Sequence, residues 1–333
     1  MKVFDRVQLA HGGGGHETNE LINKVLKSGF AASASFDGED AAVLTTSSKI
    51  AMSTDSFTVS PHTFPGGNIG SLAIAGTCND LSMVAARPKF LSCSFILEEG
   101  LPIATLRQVV STMASELEKI DAKIVCGDTK VVPKGSVDQI FINTTGIGEV
   151  MAEGVSAAAL KPSDSIIVSR DIGCHGACIL AQRESIKLDH DIMSDCALLW
   201  PAVEALLNQG LPIHSMRDAT RGGIAAVMQE WCAASDVQIE LKQEQIPISE
   251  PVRGICELFG VDPFDLANEG TFVVAVPKLF AEQTVEVLRH FNPTAAVVGE
   301  VVDASPKQPI LTSATGAKRI VDCALGELLP RIC

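Results

Sequence analysis

Residues 54–88 read TDSFTVSPHTFPGGNIGSLAIAGTCNDLSMVAARP, and this stretch gives the clearest indication of the class of fold. Its second half, Ile69–Ala86, is apolar and rich in small residues, which predicts a buried helix. Strand patterns lie before it at Ile50–Ser53 and after it at Leu91–Glu98. A strand, a helix and a strand in this order are typical of an α/β domain, in which helices cover a sheet.

The same alternation continues outward in both directions. On the N-terminal side, a glycine-rich stretch at 11–16 precedes a predicted helix over Asn19–Ser28 and a strand at Ala41–Thr45. On the C-terminal side, a helix follows Pro102, and strands are predicted at Lys123–Cys126 and Ile140–Glu149. This first half of the chain ends near residue 151.

A small, polar, proline-bearing segment at 152–165, AEGVSAAALKPSDS, is the best candidate for a linker. The second half again alternates strands, at Ser165–Ser169, Thr271–Val276, Ala295–Val302 and Arg319–Cys323, with helices from Gly176, from Gly222 and over Leu279–Phe291. We therefore predict an α/β (α+β) fold. It comprises a glycine-rich arm and helix over 1–35, an N-terminal domain with a mixed sheet over 36–151, a C-terminal α/β domain over 152–323 and a flexible tail over 324–333.

Composition narrows the class of protein. The 333 residues suit about two domains, and the contents of 46% hydrophobic and 20% charged residues are those of a globular chain. A net charge of −14, with no Tyr and only two Trp, disfavours a nucleic-acid partner. We expect no membrane partner, because neither a signal-peptide pattern nor a run of about 18 apolar residues occurs. Ten scattered cysteines without a C-x-x-C pair indicate reduced thiols and a cytoplasmic location.

Four aspartates form the first chemical pattern. Asp40, Asp55 and Asp128 come just beyond predicted strand or turn ends, and Asp80 lies inside the apolar helix. Carboxylates that converge stay ionised only if a cation neutralises them, and Mg²⁺ prefers such oxygen ligands. Each aspartate taken alone is better explained as a turn former or a helix cap, and only the group as a whole favours a cation site.

Four glycine-rich stretches form the second pattern, at 11–16, 64–70, 172–177 and 220–223. Two of them, at Gly176 and at Gly222 and Gly223, open predicted helices, where exposed backbone N–H groups and the helix dipole favour phosphate. Neither a P-loop nor a G-x-G-x-x-G fingerprint occurs, so phosphate binding would use a different architecture. Simple turn formation explains each stretch on its own.

The C-terminal sequence PRIC forms the third pattern, because Cys333 lies outside the apolar segments that hold the other cysteines. An inert terminal residue is the plain interpretation, and a thiol that can enter a site is the functional one. On spacing alone Lys130 and Glu269 are ordinary charges, Asp218 is a cap, and His175 marks the start of a helix.

Together these segments resemble a known family. Residues 54–88, CGDTKVV, FINTTGIGEV, MRDATRGG, DPFDLANEG and the closing PRIC are similar to the HypE family, the carbamoyl dehydratases of [NiFe]-hydrogenase maturation. NDLSM, GDTK and TRGG alone indicate the wider ATP-binding superfamily of aminoimidazole ribonucleotide synthetase, selenophosphate synthetase and thiamine-monophosphate kinase. The terminal PRIC with FINTTGIG makes the resemblance specific.

The resemblance implies a two-domain enzyme that dimerises through its N-terminal sheet and binds Mg²⁺ and ATP between its domains. Cys333 would receive a carbamoyl group from the carbamoyltransferase HypF. Phosphorylation of the carboxamide oxygen by ATP and loss of phosphate would leave a thiocyanate. The cyanide would then pass to iron on the HypC–HypD scaffold complex.

The resemblance also implies site residues. Lys130 and Glu269 would lie near the modified Cys333, with Glu269 as the base. The remaining residues would bind ATP (Asp40, Asp55, Asn68, Asp80, Asp128, Gly13 and Gly14) or metal (Asp40, Asp55, Asp80, Asp128 and Asp218). Cys174 departs from the pattern, because an acidic residue is expected there.

Two other functions remain open at the level of sequence. A small-molecule kinase of the same superfamily would phosphorylate a free substrate and would not need Cys333. A non-catalytic carrier would use Cys333 to hold a group for a partner, but it would leave the carboxylates and glycine turns without a purpose.

Overall fold

The computed structural model describes residues 5–8, 11, 21–30, 49–186, 192–322, 329 and 331–333. Gly13, Gly14, Asp40 and the strand predicted at Ala41–Thr45 lie outside these ranges. Near the N-terminus, a π-helical turn at Ile22–Lys27 continues into a short α-helical turn at Ser28–Phe30. The buried side chains of this segment join the main hydrophobic core.

The N-terminal domain combines a four-stranded sheet with two long helices. In chain order its elements are β1 (Ile50–Phe57), β2 (Thr63–Phe64), β3 (Gly67–Asn68), α1 (Ile69–Met83), β4 (Ala86–Glu98), α2 (Ile103–Ile120), β5 (Lys123–Val132) and β6 (Ile140–Val150). The sheet has the order β1-β6-β4-β5, in which β4 and β5 are parallel and the other pairs are antiparallel. Helix α1 packs on this sheet, and α2 packs on α1.

The C-terminal domain is built on a seven-stranded sheet. In chain order its elements are β7 (Asp164–Val168), α3 (Cys174–Arg183), α4 (Trp200–Asn208), β8 (Ser215–Asp218), α5 (Gly223–Ser235), β9 (Gln238–Lys242), α6 (Glu250–Phe259), β10 (Phe272–Pro277), α7 (Ala281–Arg289), β11 (Ala296–Val302), β12 (Pro309–Thr312) and β13 (Lys318–Ile320). The strand order is β13-β12-β9-β11-β7-β10-β8, and only β12 and β9 pair in parallel. The predicted two-domain α/β fold with a mixed N-terminal sheet is confirmed.

Helix α1 joins the two domains and confirms the prediction of a buried helix. It begins with a capping box, in which the Asn68 side chain accepts from the backbone N–H of Ser71 and the Ser71 hydroxyl accepts from the backbone N–H of Asn68. Every residue of the helix except Asp80 is buried. Besides the N-terminal sheet, the helix contacts β8 and α4 of the C-terminal domain. A helix buried on all sides thus carries its one carboxylate to the junction of the domains.

Two predicted strands were too short. Strands β1 and β5 continue past Ser53 and Cys126, so Asp55 and Asp128 lie within strands rather than beyond their ends. The reason is that β1 stays paired with β6 as far as Phe57, and backbone pairing tolerates a polar side chain on one face of a sheet.

Besides the two-residue strands β2 and β3, five elements were absent from the sequence prediction, namely α4, β8, β9, α6 and β12. The strands among them have only four or five residues, which is too few for a clear alternation. The two helices each carry a proline in the first turn, a start signal that could have revealed them. Among the helices of the described residues, none has the length and apolar character needed to cross a membrane.

Candidate active site

Three carboxylates come from elements that meet at the domain junction. Asp55 lies on β1, Asp80 on α1, and Asp218 is the last residue of β8. Ser53, two residues before Asp55 and so on the same face of β1, donates a hydrogen bond to Asp80 Oδ2 at 2.5 Å. Because α1 packs against both β1 and β8, residues far apart in the sequence reach one place.

Burial and the neighbouring charge of Asp80 raise the pKa of two of these carboxyl groups, Asp55 and Asp218. Burial and then the charge of Asp80 raise the pKa of Asp55 to about 6, while Arg221 opposes the rise. Burial and then Asp80 raise the pKa of Asp218 to about 7. Asp218 is only 6% exposed, and its Oδ2 has no hydrogen-bond partner among the described residues. A cation would relieve this repulsion and supply the missing partner.

The fourth acidic group of the site is Glu269, whose backbone N–H and carbonyl are both hydrogen-bonded. Burial and then the charges of Asp195 and Asp218 raise its pKa well above the ordinary value. Glu269 is 3% exposed, and within the described residues its Oε1 has no hydrogen-bond partner. A buried carboxyl group that lacks a protein partner and has a raised pKa is typical of a residue that handles protons.

Asp195 and Asn79 fix the position of that backbone. The Asp195 carboxylate accepts from Glu269 N at 3.1 Å, from Gly270 N at 3.0 Å and from Thr271 Oγ1 at 2.9 Å. Asn79, the neighbour of Asp80 on α1, donates to the Glu269 carbonyl at 3.3 Å. The helix that carries Asp80 is therefore tied directly to the segment that carries Glu269.

The donor set suits a hydrated divalent cation. Within the described ranges, no three His, Cys, Asp or Glu side chains converge closely enough to hold a metal ion by themselves. Mg²⁺ usually keeps several waters, takes one or two carboxylates and shares the phosphates of a substrate. The unpartnered oxygen of Asp218 and the mutual repulsion of the carboxylates fit such an ion.

The last three residues of the chain are docked between the two domains. From the N-terminal domain, Thr58 donates to the Cys333 carbonyl through its backbone N at 2.9 Å and its hydroxyl at 3.2 Å. From the C-terminal domain, His175 bonds the Ile332 carbonyl at 2.8 Å, and Arg183 Nη2 donates to the Arg331 carbonyl at 2.7 Å. The end of the tail thus has a defined position within its own chain, which the sequence alone left open.

Arg331 adds side-chain contacts that hold the tail on the N-terminal domain. Its Nε donates to the Thr58 carbonyl at 2.9 Å, and its Nη1 donates to Asp138 Oδ2 at 3.0 Å. The guanidinium also lies 5.4 Å from the centre of the Phe141 ring, within cation–π range. Arg331 therefore anchors the tail two residues before the thiol.

Two of the predicted site residues, Asp128 and Lys130, lie apart from this junction. Lys130 Nζ pairs with Asp128 at 3.1 Å, and both side chains are more than half exposed. They lie on β5, at the opposite edge of the sheet from β1. Three strand spacings correspond to about 14 Å. Within one chain, the structure does not bring these two residues to Asp55.

Asn68 and Cys174 have structural partners of their own. Asn68 caps α1, and its Nδ2 donates to Thr112 Oγ1 at 2.9 Å, so both ends of its amide are engaged. Cys174, where an acidic residue was expected, donates its thiol to Asp171 Oδ2 at 2.9 Å. An acidic group is therefore present beside this loop although it occupies another position. A role for Asn68 toward nucleotide stays a prediction.

Sequence reasoning missed His175 and Asp195. His175 lies at the start of a helix, as predicted, but its contact with the docked tail was not foreseen. Asp195 lies in a loop without any periodic pattern, so no local signal marked it. The contact of His175 with the tail spans 157 positions, and those of Asp195 with residues 269–271 span 74 to 76, which is beyond the reach of a local motif.

The fold and the site define a two-domain protein of the AIR synthase-related class. The models of the AIR synthase related protein match it in both halves, the N-terminal domain over residues 38–150 and the C-terminal domain over residues 161–310. The chain is 44% identical to the carbamoyl dehydratase HypE of Escherichia coli K12, over 99% of this chain and 100% of that protein.

Solved structures agree with this similarity. A crystal structure of the hydrogenase maturation protein HypE in complex with ATP matches with a TM-score of 0.93 and 40% identity, covering 98% of this chain and 99% of that one. HypE in a HypE–HypF complex matches with a TM-score of 0.79 and 44% identity, covering 83% and 90%. The chain belongs to the HypE family of carbamoyl dehydratases.

Proposed function

We propose that the protein dehydrates a carbamoyl group carried on its own Cys333 to a thiocyanate, using ATP, and donates the cyanide to the iron of a [NiFe]-hydrogenase. The observation that carries this proposal is the docking of the terminal cysteine between the two domains, with donors from each domain on three successive carbonyls. A terminal residue without a function would not need hydrogen bonds from both domains to hold it in place.

The reaction converts a thiocarboxamide into a thiocyanate with net loss of one water. The carboxamide oxygen attacks the γ-phosphorus of ATP, the bond to ADP breaks, and phosphate then leaves with that oxygen as the C≡N bond forms. Both N–H protons must leave the nitrogen during this sequence. We assign the first removal to Glu269, because burial and the neighbouring charges make its carboxylate a stronger base than an exposed one.

Asp55, Asp80 and Asp218 would hold Mg²⁺, with Asp40 and Asp128 as the further predicted ligands. When bound, the ion supplies positive charge that offsets the charge of the ATP phosphates. The carboxylates of this chain would hold that charge at the domain junction, because they come from three elements packed together. The related HypE whose solved structure contains ATP supports ATP as the substrate.

We further propose a homodimer formed through the outer face of the N-terminal sheet. Ile50, Met52 and Ile96 on this face are 40–69% exposed. Lys130 lies on the same face, since it pairs in register with Ile96. In a dimer of this kind, Lys130 of a second copy could approach the tail, whereas within one chain it lies at the far edge of the sheet.

The proposed partners follow the chemistry. HypF would supply the carbamoyl group, which the solved HypE–HypF complex of a relative supports. The HypC–HypD complex would receive the cyanide, and the reaction would take place in the cytoplasm.

Mass measurement of the C-terminal peptide tests the proposal. After incubation with the carbamoyl donor system, Cys333 should gain a carboxamide, and Mg²⁺ with ATP should then remove one water. Glu269→Gln should keep the carboxamide and lose the dehydration, while Glu282→Gln, a matched change on the exposed face of α7, should behave as wild type. A carboxamide on another residue would refute the proposal, as would wild-type water loss in Glu269→Gln. A kinase acting on a free substrate would keep its activity in Cys333→Ser.

A further inference from the structure

His175 is a buried histidine whose two ring nitrogens are both engaged. It is 0% exposed, at the beginning of α3. Its Nδ1 lies 2.7 Å from Ser194 Oγ, and its Nε2 lies 2.8 Å from the carbonyl oxygen of Ile332. The Phe64 ring meets the imidazole edge-on, with 5.3 Å between the ring centres. The ring is therefore fixed in place by a hydroxyl, a carbonyl and an aromatic neighbour.

The partners also fix which nitrogen carries the proton. A carbonyl oxygen only accepts, so Nε2 of His175 must donate to Ile332. In the neutral ring Nδ1 then accepts, and Ser194 Oγ donates to it. The Ser194 oxygen in turn accepts from Cys196 N at 3.1 Å. Burial lowers the pKa of His175, which agrees with a neutral ring. The direction of every hydrogen bond from Cys196 N through Ser194 and His175 to the Ile332 carbonyl is therefore determined.

The hydrogen bond from His175 holds the tail at Ile332, the residue immediately before Cys333. Arg183 and Thr58 hold the carbonyls of Arg331 and Cys333, and His175 holds the carbonyl between them. Because that carbonyl belongs to the peptide unit that leads into Cys333, its direction determines where the Cys333 Cα and thiol can lie. A shift of the tail by one residue would break all three contacts at once.

The segment that supports His175 also supports Glu269. Ser194 bonds the imidazole, and the next residue, Asp195, accepts from the backbone N–H groups of Glu269 and Gly270. Ser194 N in addition donates to Pro65 O at 2.8 Å, which ties the segment to the N-terminal domain. The histidine that holds the tail and the proposed base Glu269 are therefore positioned by the same segment, Ser194 and Asp195.

We propose that His175 is a positioning residue that seats the C-terminal tail through the Ile332 carbonyl, with Ser194 setting its tautomer. It contacts the tail backbone at Ile332 and acts by placing Cys333. The role in catalysis rests on the proposed function, but the docking of the tail does not.

Alkylation of Cys333 by iodoacetamide tests the seat in the full-length protein without ATP or a carbamoyl donor. A glutamate-specific protease releases residues 328–333, whose mass gives the rate at Cys333 separately from the other thiols. Loss of one hydrogen bond predicts an increase of about five- to tenfold in this rate for His175→Ala. His175→Gln, which returns an N–H near Nε2, should restore most of the protection. His290→Ala, a change at an exposed histidine on the surface, should leave the rate unchanged.

Two further measurements keep the outcome decisive. If His175→Ala does not fold, as judged by circular dichroism, Ser194→Ala takes its place and should raise the rate about two- to fivefold, because the tautomer is then no longer fixed. In the carbamoylated protein, His175→Ala should slow single-turnover water loss and leave the ATP concentration for half-saturation unchanged. An unchanged alkylation rate in folded variants would overturn the proposal. The wild-type protein could show alkylation of Cys333 that is slowed by His175 and yet no water loss from the carbamoylated cysteine. That result would overturn the proposed function but would leave the role of His175 in docking the tail in place.

Discussion

Replacing Gly270 by alanine should break the hydrogen bonds that hold the backbone of Glu269 and should lower the free energy of unfolding. A Cβ atom at this position would lie 1.8 Å from the carbonyl oxygen of Asp195 and 3.1 Å from Ala197 N. Both contacts are with backbone atoms, so rotation of a side chain cannot relieve them. Since real Cβ atoms essentially never approach within 3.0 Å, the two segments must move apart by more than 1 Å.

The cost follows from the bonds that cross this gap. Asp195 accepts from Glu269 N at 3.1 Å and from Gly270 N at 3.0 Å, and a separation of more than 1 Å breaks both. A hydrogen bond to a charged acceptor contributes about 1.5–3 kcal/mol, so losing two lowers the free energy of unfolding by about 3–6 kcal/mol. Dehydration should also be lost, because Glu269 is displaced.

Gly254 provides the matched control. It lies in α6, and a Cβ there would meet nothing within 4 Å. Gly254→Ala should therefore raise the free energy of unfolding by about 0.5–1 kcal/mol through helix propensity alone. Urea unfolding followed by circular dichroism measures both variants. If Gly270→Ala is as stable as wild type, or if both variants change stability in the same direction, the reasoning is wrong.

Three further changes test other parts of the structure. Burial and the charge of Asp80 raise the pKa of Asp218 in the folded protein to about 7. In the unfolded chain this carboxyl group loses its proton near pH 4. The free energy of unfolding of the metal-free protein should therefore fall as the pH rises from 4 to 7. Asp218→Asn should flatten this slope, as urea unfolding at pH 5 and pH 8 in EDTA would show. Thr144→Val leaves the buried Thr77 hydroxyl without its 2.6 Å partner and should cost about 1–3 kcal/mol in unfolding free energy with dehydration retained. Met52→Lys should turn a dimer into a monomer in light scattering, because it places charge on the proposed interface.

The sequence predicted the main elements of the fold because their signals are local. The run of small apolar residues at 69–86 indicated a buried helix, and β4, β6 and β10 lie where alternation or apolar runs indicated strands. Short strands such as β8 escaped, because four residues do not establish a period. The end of that strand nevertheless carries Asp218, which the family resemblance identified where spacing alone did not.

Local patterns in the sequence were enough to predict two α/β domains, a set of aspartates suited to a cation and a terminal cysteine of unusual placement. They did not indicate which of these residues meet. Asp55, Asp80 and Asp218 share one junction because a fully buried helix spans both domains, whereas Asp128 and Lys130 lie at the opposite edge of a sheet. The tail contacts His175, which lies 157 positions away from Ile332. Contacts at such separations are set by packing and strand order, which a local pattern of residues does not encode.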